Sequence, residues 1–498
     1  MNKLLYGKDI TERIVGIEPQ DDFSEIFIEK DGKISSEFVP NKYWILAHEK
    51  LNNGFIRLRG DLHYKWGIQF TKRSEYQKFR NVFKANDTFS IYDPKESFMV
   101  NKGLTYYKGM SLKDVSILSF DIESTGLKHD NDAKVLIISN TIRKNGTVIR
   151  KLFTHDEFDT NGEMIDEWCQ WVRDQDPSII CGHNIFGFDF GYLAFCAARD
   201  GYQLQLGRNG SNLRFEDRES KFRKDQTQDL HYFKAHIYGR EIIDTMFLSI
   251  KYDIASKKYE SYGLKQIIKQ EGLEVKDRQF YDASTIRDKY KDPVEWEKIK
   301  KYAIHDADDA LALFDLMAPS QFYWTQIVPK SFQSIVSGAT GSQINSIMIR
   351  SYLQEAHSIP KADEMRESFE GAISAGSPGI YTNCLKWDVA SLYPSIILQY
   401  QIYSKDKDPE KNFLKMVETL TKERLKNKKL AKETGNRYYK DLEQSQKIGI
   451  NSSYGFMGAP GLNFNYLKGA SEVTKYGREI LKTAIKWATG EDLDNGKT

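Results

Sequence analysis

The stretch Val115-Ser116-Ile117-Leu118-Ser119-Phe120, with the Asp121-Ile122-Glu123 that follows it, decides how this chain is read. The apolar run has the pattern of a buried strand, and the i, i+2 spacing sets both carboxylates on one face at its end. Outward from it, Val135 to Ser139 and Thr147 to Phe153 read as strands. Met164 to Arg173 carries Ile165, Trp168 and Val172 at helical spacing, Ser178 to Cys181 reads as a short strand, and Phe188 to Arg199 as a helix. Strands followed by helices predict an α/β layer. Two acids at a strand end are by themselves more often a solvated edge.

Two further acids change that balance. Asp189 closes Gly182-His183-Asn184-Ile185-Phe186-Gly187-Phe188-Asp189, after a strand and at a helix start. Asp306 lies four residues after Tyr302 in the helical stretch Glu295 to Met317, so phenol and carboxylate share one helical face. Phosphodiester hydrolysis by two hard cations needs several carboxylate oxygens around the ions, and a phenol within hydrogen-bond range can orient the attacking water. His183 and His305 read as structural or supporting residues rather than ligands.

The 498 residues correspond to three or four domains at about 150 residues each. With 40% hydrophobic and 29% charged residues the composition is that of a soluble globular chain. The 72 basic and 70 acidic residues nearly cancel, so any nucleic-acid contact must be a local basic surface. Cys169, Cys181, Cys196 and Cys384 form no CxxC pair, which argues against a disulfide scaffold or structural zinc and for a cytoplasmic location, in the host if the source is viral. No apolar run approaches the roughly 18 residues of a membrane span, so no membrane partner is expected. The first hundred residues read as mainly strand, with a hairpin over Ser24 to Phe38 turning at Asp31-Gly32, strands around Phe55 to Leu58 and Trp66 to Phe70, and a helix over Glu75 to Phe83. Gly207 to Arg240 is a polar, Arg- and Lys-rich excursion with interleaved aromatics; it reads as a DNA contact or as a solvated loop.

Asp121-Ile122-Glu123, Asn184 through Phe188-Asp189, and Tyr302 through Asp306 resemble, in order and spacing, the three exonuclease motifs of the family B (alpha-like) DNA polymerases. The resemblance implies an RNase H-like domain that degrades DNA 3′→5′. In it Asp121, Glu123, Asp189 and Asp306 are the metal carboxylates, Tyr302 orients the water, and Asn184 and Phe188 touch DNA. The implied cofactor is Mg²⁺, with Mn²⁺ as a substitute. Gly239-Arg240 through Asp244 and Ser261-Tyr262-Gly263-Leu264 fall where the family carries recognisable non-catalytic segments.

A second constellation lies towards the C-terminus. Asp388 sits on an expected strand, Leu385 to Val389, ahead of Ser391-Leu392-Tyr393-Pro394-Ser395; alone this is a strand-end Asp before a Pro-led helix start. Two polar helices, about Asn412 to Lys432 and Tyr438 to Tyr454, are separated by a break at Glu433-Thr434-Gly435-Asn436 and should be antiparallel. Arg424 and Lys428 on the first, and Lys447 and Asn451 on the second, are i, i+4 pairs. The eight Lys and Arg residues from Lys422 to Lys440 are by themselves more often a solvated helix face than an anion site. Asp388 through Ser395 is similar to polymerase motif A of the same family, and Lys447-Ile448-Gly449-Ile450-Asn451-Ser452-Ser453-Tyr454-Gly455 to motif B. By that likeness Asp388 binds catalytic metal, and Ser391 and Leu392 offer backbone N–H groups to the triphosphate. Tyr393 lies under the sugar. Arg424, Lys447 and Asn451, with Lys428, contact the triphosphate, and Tyr454 and Gly455 sit by the nascent base pair. Phe369-Glu370-Gly371-Ala372 resembles the segment between exonuclease and polymerase modules, and Thr474 through Gly477-Arg478 the palm helix after motif B.

The family pattern continues with motif C, an Asp-Thr-Asp hairpin, and a thumb; no Asp-Thr-Asp occurs, and Gly490 to Gly496 reads as a polar tail. The expected fold is α+β and multidomain: a mainly-β N-terminal domain (1–110), an RNase H-like exonuclease domain (111–330), a return segment (331–384), palm with motif A (385–404), two-helix fingers ending in motif B (405–456) and a partial palm with the tail (457–498). The expected function is a family B DNA polymerase with a proofreading exonuclease, acting on primer-template and single-stranded DNA with deoxynucleoside triphosphates, and receiving motif C and the thumb from a second polypeptide. The alternatives are a truncated polymerase acting only as a 3′→5′ exonuclease, and a DNA-binding scaffold with a vestigial polymerase half.

Overall fold

The computed structural model describes residues 2–224, 228–254, 256–274, 278, 281–364, 370–374, 376, 379–389, 391–490 and 492. The chain is a mixed α+β, multidomain protein. Near the N-terminus, Ile14–Pro19, Phe23–Lys30 and Lys33–Pro40 form a three-stranded antiparallel sheet. Asp31 and Gly32 both adopt positive φ, 51° and 68°, as the expected two-residue turn requires. A second small sheet joins Ile56–Arg57, Trp66–Phe70, Tyr43–Ala47 and Thr88–Phe89. Tyr43–Ala47 is buried along its whole length, and its unbroken apolar run gives no alternation to read.

The element that positions the site is a five-stranded sheet: β1 (Ile117–Ser124), β2 (Val135–Lys144), β3 (Thr147–Thr154), β4 (Ile179–Gly182) and β5 (Glu241–Asp244), in the order β3-β2-β1-β4-β5. The first three strands are antiparallel; β4 is parallel to both β1 and β5. This is the RNase H-like sheet implied by the resemblance. Strand β1 runs past Phe120 because β2 pairs with it, Asp121 opposite Ser139 and Glu123 opposite Ile137. Both acids therefore lie within the strand rather than beyond it. Helix α1 (Asn161–Gln175) buries Ile165, Trp168 and Val172 as the spacing predicts, and α2 (Asp189–Arg199) starts at Asp189 itself. Helix α3 (Thr245–Asp253) follows β5. Helix α4 (Pro293–Met317) starts on an Asp292 cap with Pro293 in its first turn and lies across β1 and β2, with Trp296, Ile299, Tyr302, Ala303 and Asp306 on its buried face.

The excursion from Gly207 to Arg240 is neither a bare loop nor wholly a DNA surface. It contains a hairpin, Ser220–Arg223 with Asp229–Tyr232, whose Phe222 stacks on Phe247 at 4.1 Å and whose Tyr232 is buried. Arg208 is tied to Asp176 at 2.8 Å, and Arg240 pairs with the same carboxylate. Arg214, Arg218, Lys221 and Arg223 remain exposed.

Beyond α4 come α5 (Pro319–Thr325), α6 (Thr340–Leu353), α7 (Leu392–Gln399), α8 (Asn412–Thr434), α9 (Arg437–Gly458) and α10 (Leu467–Thr489). The break between α8 and α9 is where the sequence placed it: Gly435 takes the left-handed C-cap at φ 65°, and Asn436 caps α9 by accepting from Tyr438 N. One expectation fails. Leu385 to Val389 is not a strand; these residues are exposed and without regular structure. A strand needs a neighbour for its N–H and C=O groups, and no described strand lies alongside. Phe369, and residues 491 and 493–496 of the expected tail, lie outside the described residues.

Candidate active site

Asp121 and Glu123 leave β1 on the same face, at the carboxyl end of the parallel strands β1, β4 and β5, where open α/β sheets place their ligands. Across from them α4 presents Asp306. Oxygens of Asp121, Glu123 and Asp306 all lie within 4.8 Å of one another. Glu123 and Asp306 are buried and Asp121 half-buried. Buried Asp189 completes the constellation electrostatically, since its charge raises the Asp121 carboxyl.

The acids depart from ordinary behaviour in one direction. Burial first, then repulsion from Asp189, Asp306 and Glu123, holds Asp121 well above the usual range. Burial and Asp306 push Glu123 up to about 8. Burial, with Asp244 behind it, brings Asp189 to about 7. Asp306 is also raised by burial, against the opposing pull of Lys265 and Arg278. Hard oxygen donors that resist ionising together suit divalent cations, which would relieve the shared repulsion. The donor set therefore fits the metals implied by the resemblance.

Three residues that the motifs did not flag complete the site. Lys265 sits with its Nζ 3.6 Å from Asp306 Oδ2, donates to the Tyr302 hydroxyl and lies 4.1 Å from the centre of that ring. Arg278 is buried, donates to Asp306 Oδ1 at 2.9 Å and pairs with Asp309. Asp244, at the end of β5, accepts from Asn184 N at 2.8 Å, Met246 N at 2.9 Å and Phe186 N at 3.3 Å. It thereby pins the loop from Gly182 to Asp189, in which Asn184 takes φ 65°. Its own carboxyl is raised by burial to about 6, opposed by those N–H groups. Asn184 and Phe188 are half-buried along this loop, with Phe188 packed on Tyr192. His183 is structural: it hydrogen-bonds Thr245 at 3.0 Å and the Tyr262 carbonyl at 2.7 Å, and burial lowers it to about 4, so it is neutral.

The second constellation is only partly assembled. Arg424 donates to Ser391 Oγ at 2.6 Å and to Glu443 at 2.8 Å, tying α8 to the residue that opens α7, whose φ is 56°. Tyr393 packs against Tyr454 at 4.7 Å, and a Cβ on Gly477 would come within 3.2 Å of its ring. Thr474 and Arg478 on α10 donate to the Glu370 carbonyl, at 2.9 and 2.7 Å, so two of the short likenesses touch. Lys447 and Asn451 line a cleft between α9 and the α3–α5 region. Lys428 is exposed on α8, Leu392 opens α7, and Gly455 is exposed on α9. Asp388 is exposed, and among the described residues no carboxylate cluster forms around it.

Residues 74–267 match the family model described as DNA polymerase family B, exonuclease domain. A DNA polymerase of Thermococcus gorgonarius is 24% identical over 503 residues, covering 92% of this chain and 62% of the relative. One of Archaeoglobus fulgidus is 24% identical over 407 residues, covering 76% and 48%. The structure of the family B DNA polymerase from Pyrobaculum calidifontis superposes with a TM-score of 0.73 at 15% identity, over 95% of this chain and 72% of that one. Residues 74–267 are thus similar to the exonuclease domain of the family B DNA polymerases. The chain spans less than two thirds of the length of these two curated relatives.

Proposed function

We propose that this chain is a 3′→5′ exonuclease on single-stranded DNA and carries the nucleotide-binding part of a DNA polymerase. The convergence of Asp121, Glu123 and Asp306 within 4.8 Å carries the reading. Two Mg²⁺ or Mn²⁺ ions, when bound, would supply a hydroxide nucleophile and stabilise the leaving oxygen. Asp121, Glu123, Asp189 and Asp306 would hold them. Tyr302, fixed by Lys265, orients the attacking water, and Asn184 and Phe188 seat the 3′ end of the strand. Arg278 holds Asp306 by a hydrogen bond and opposes the burial that raises its carboxyl. Replacing Asp121 and Glu123 together by Ala tests this: Mn²⁺ binding by calorimetry and single-strand degradation should both be lost. Undiminished metal binding in the double variant would contradict the assignment.

For synthesis, Asp388, Ser391, Leu392, Tyr393, Arg424, Lys447 and Asn451 serve the triphosphate and sugar, and Tyr454 and Gly455 the nascent pair. Nucleotidyl transfer by two ions needs a further carboxylate. We propose that it comes with motif C and the thumb from residues outside these 498, on the same polypeptide or a second one. These 498 residues alone should then extend a primer poorly. Robust template-directed synthesis by them would contradict this part.

A further inference from the structure

The stretch His305-Asp306-Ala307-Asp308-Asp309 on α4 carries three acids, and the metal reading uses the first of them. Asp308 is engaged elsewhere. It accepts from Thr141 Oγ1 at 2.7 Å and from Arg150 Nε at 2.9 Å, which ties α4 to β2 and β3. Asp309 is buried and pairs with Arg278, and it is not among the acids that converge at the site. Asp306 and Asp309 are i, i+3 on the helix, so they lie side by side on one face.

Arg278 divides its guanidinium between these two carboxylates. Nη2 donates to Asp306 Oδ1 at 2.9 Å, and Nη1 pairs with Asp309 Oδ2. A guanidinium beside a single carboxylate commonly closes on it with two parallel N–H···O bonds. Here Asp309 takes one of the two nitrogens, and Asp306 Oδ2 stays outside the fork, 3.6 Å from Lys265 Nζ. Both Arg278 and Asp309 are buried, so water screens the charge of Arg278 weakly and Asp309 balances it.

We propose that Asp309 is a positioning residue of the exonuclease site: by holding one arm of Arg278 and balancing its charge, it leaves the second oxygen of Asp306 to a divalent cation. Without Asp309 the guanidinium closes on both oxygens of Asp306 and competes with the metal for them. Asp309 acts through Arg278 and ligates no ion itself, and its role rests on the metal reading given above.

The test is a double-mutant cycle with Asp309→Asn and Arg278→Gln, read as Mn²⁺ affinity by titration calorimetry with no DNA present. Taking one partner from a buried ion pair is destabilising, so the thermal midpoint in EDTA checks folding; Asn keeps an oxygen for Arg278 and is the milder change. Asp309→Asn should weaken Mn²⁺ binding by about 10- to 100-fold, the usual cost of losing a residue that orients a metal ligand. In the Arg278→Gln background the same substitution should change affinity by less than about 2-fold, because nothing is left for Asp309 to hold. An equal loss in both backgrounds would overturn the proposal and make Asp309 a direct charge on the metals. Unchanged affinity in Asp309→Asn would overturn it as well. Should Asp309→Asn alone fail to fold, the double variant against Arg278→Gln decides by the same limit. Wild-type protein that binds no Mn²⁺ refutes the metal reading itself, whereas wild-type binding with a flat cycle refutes the role of Asp309 alone.

Discussion

Asp244 does no chemistry in this account, yet its loss should disable the nuclease. Its carboxylate is the acceptor for Asn184 N, Phe186 N and Met246 N. Asp244→Ala leaves the two loop N–H groups without that acceptor, at about 1–2 kcal/mol each, and removes the cap of α3, worth about 1 kcal/mol. The loop from Gly182 to Asp189 should therefore open more easily by about 3–5 kcal/mol, at least 10²-fold in its opening equilibrium. Asp189 is carried on that loop, and a displacement of about 1 Å of a catalytic group costs roughly 10²-fold in rate. Hydrogen exchange read at Asn184 and Phe186, with single-strand hydrolysis on the same samples, measures both effects. Asp244→Asn keeps one neutral acceptor oxygen and should fall between. If Asp244→Ala shows wild-type protection at those amides and wild-type hydrolysis, Asp244 does not hold the loop.

In EDTA, Glu123 at about 8 and Asp189 at about 7 hold protons that the unfolded chain has already released. Their contribution is present in acid and is lost as pH rises from about 4 to about 8. The thermal midpoint of the wild type, relative to that of the Asp121→Asn/Glu123→Gln/Asp189→Asn variant, should fall across that range and recover with Mn²⁺; a flat or rising difference would contradict the clustered charges. Gly449→Ala puts a Cβ 2.5 Å from the buried Trp324 ring and should destabilise the packing of α9 on α5 by about 1–3 kcal/mol in urea melts, whereas a neutral substitution would mean that this contact is loose. Replacing the exposed Arg214, Arg218, Lys221 and Arg223 by Ala should weaken oligo-dT binding and flatten its salt dependence if the excursion meets phosphates; an unchanged slope would make it a solvated hairpin.

The sheet was legible because its apolar strands are long and its acids fall at fixed offsets from them. Periodicity put Asp121 with Glu123 on one strand face and Tyr302 with Asp306 on one helix face, and the resemblance to the exonuclease motifs joined the two. Lys265 and Arg278 could not, because each reaches Asp306 only through the tertiary fold. Asp244 was within reach: an acid between Ile243 and Thr245, at the end of an apolar run, is a strand end that doubles as a helix cap. The short strand β5 escaped because four residues, Glu241 to Asp244, carry too little pattern. Leu385, Trp387 and Val389 misled in the opposite sense. They alternate like a strand, but alternation forms one only where a neighbour supplies the hydrogen bonds.

The central claim is a carboxylate-dependent nuclease that works inward from the 3′ end. The direct measurement is the product pattern from single-stranded DNA labelled at its 5′ end, with Mg²⁺, for the wild type and for Asp121→Ala/Glu123→Ala. The wild type should give a ladder shortening one nucleotide at a time from the 3′ end, and the variant should be slower by roughly 10³-fold or more, about 4 kcal/mol of barrier. Internal cuts or release of the 5′ label by the wild type, or an undiminished ladder from the variant, would contradict it.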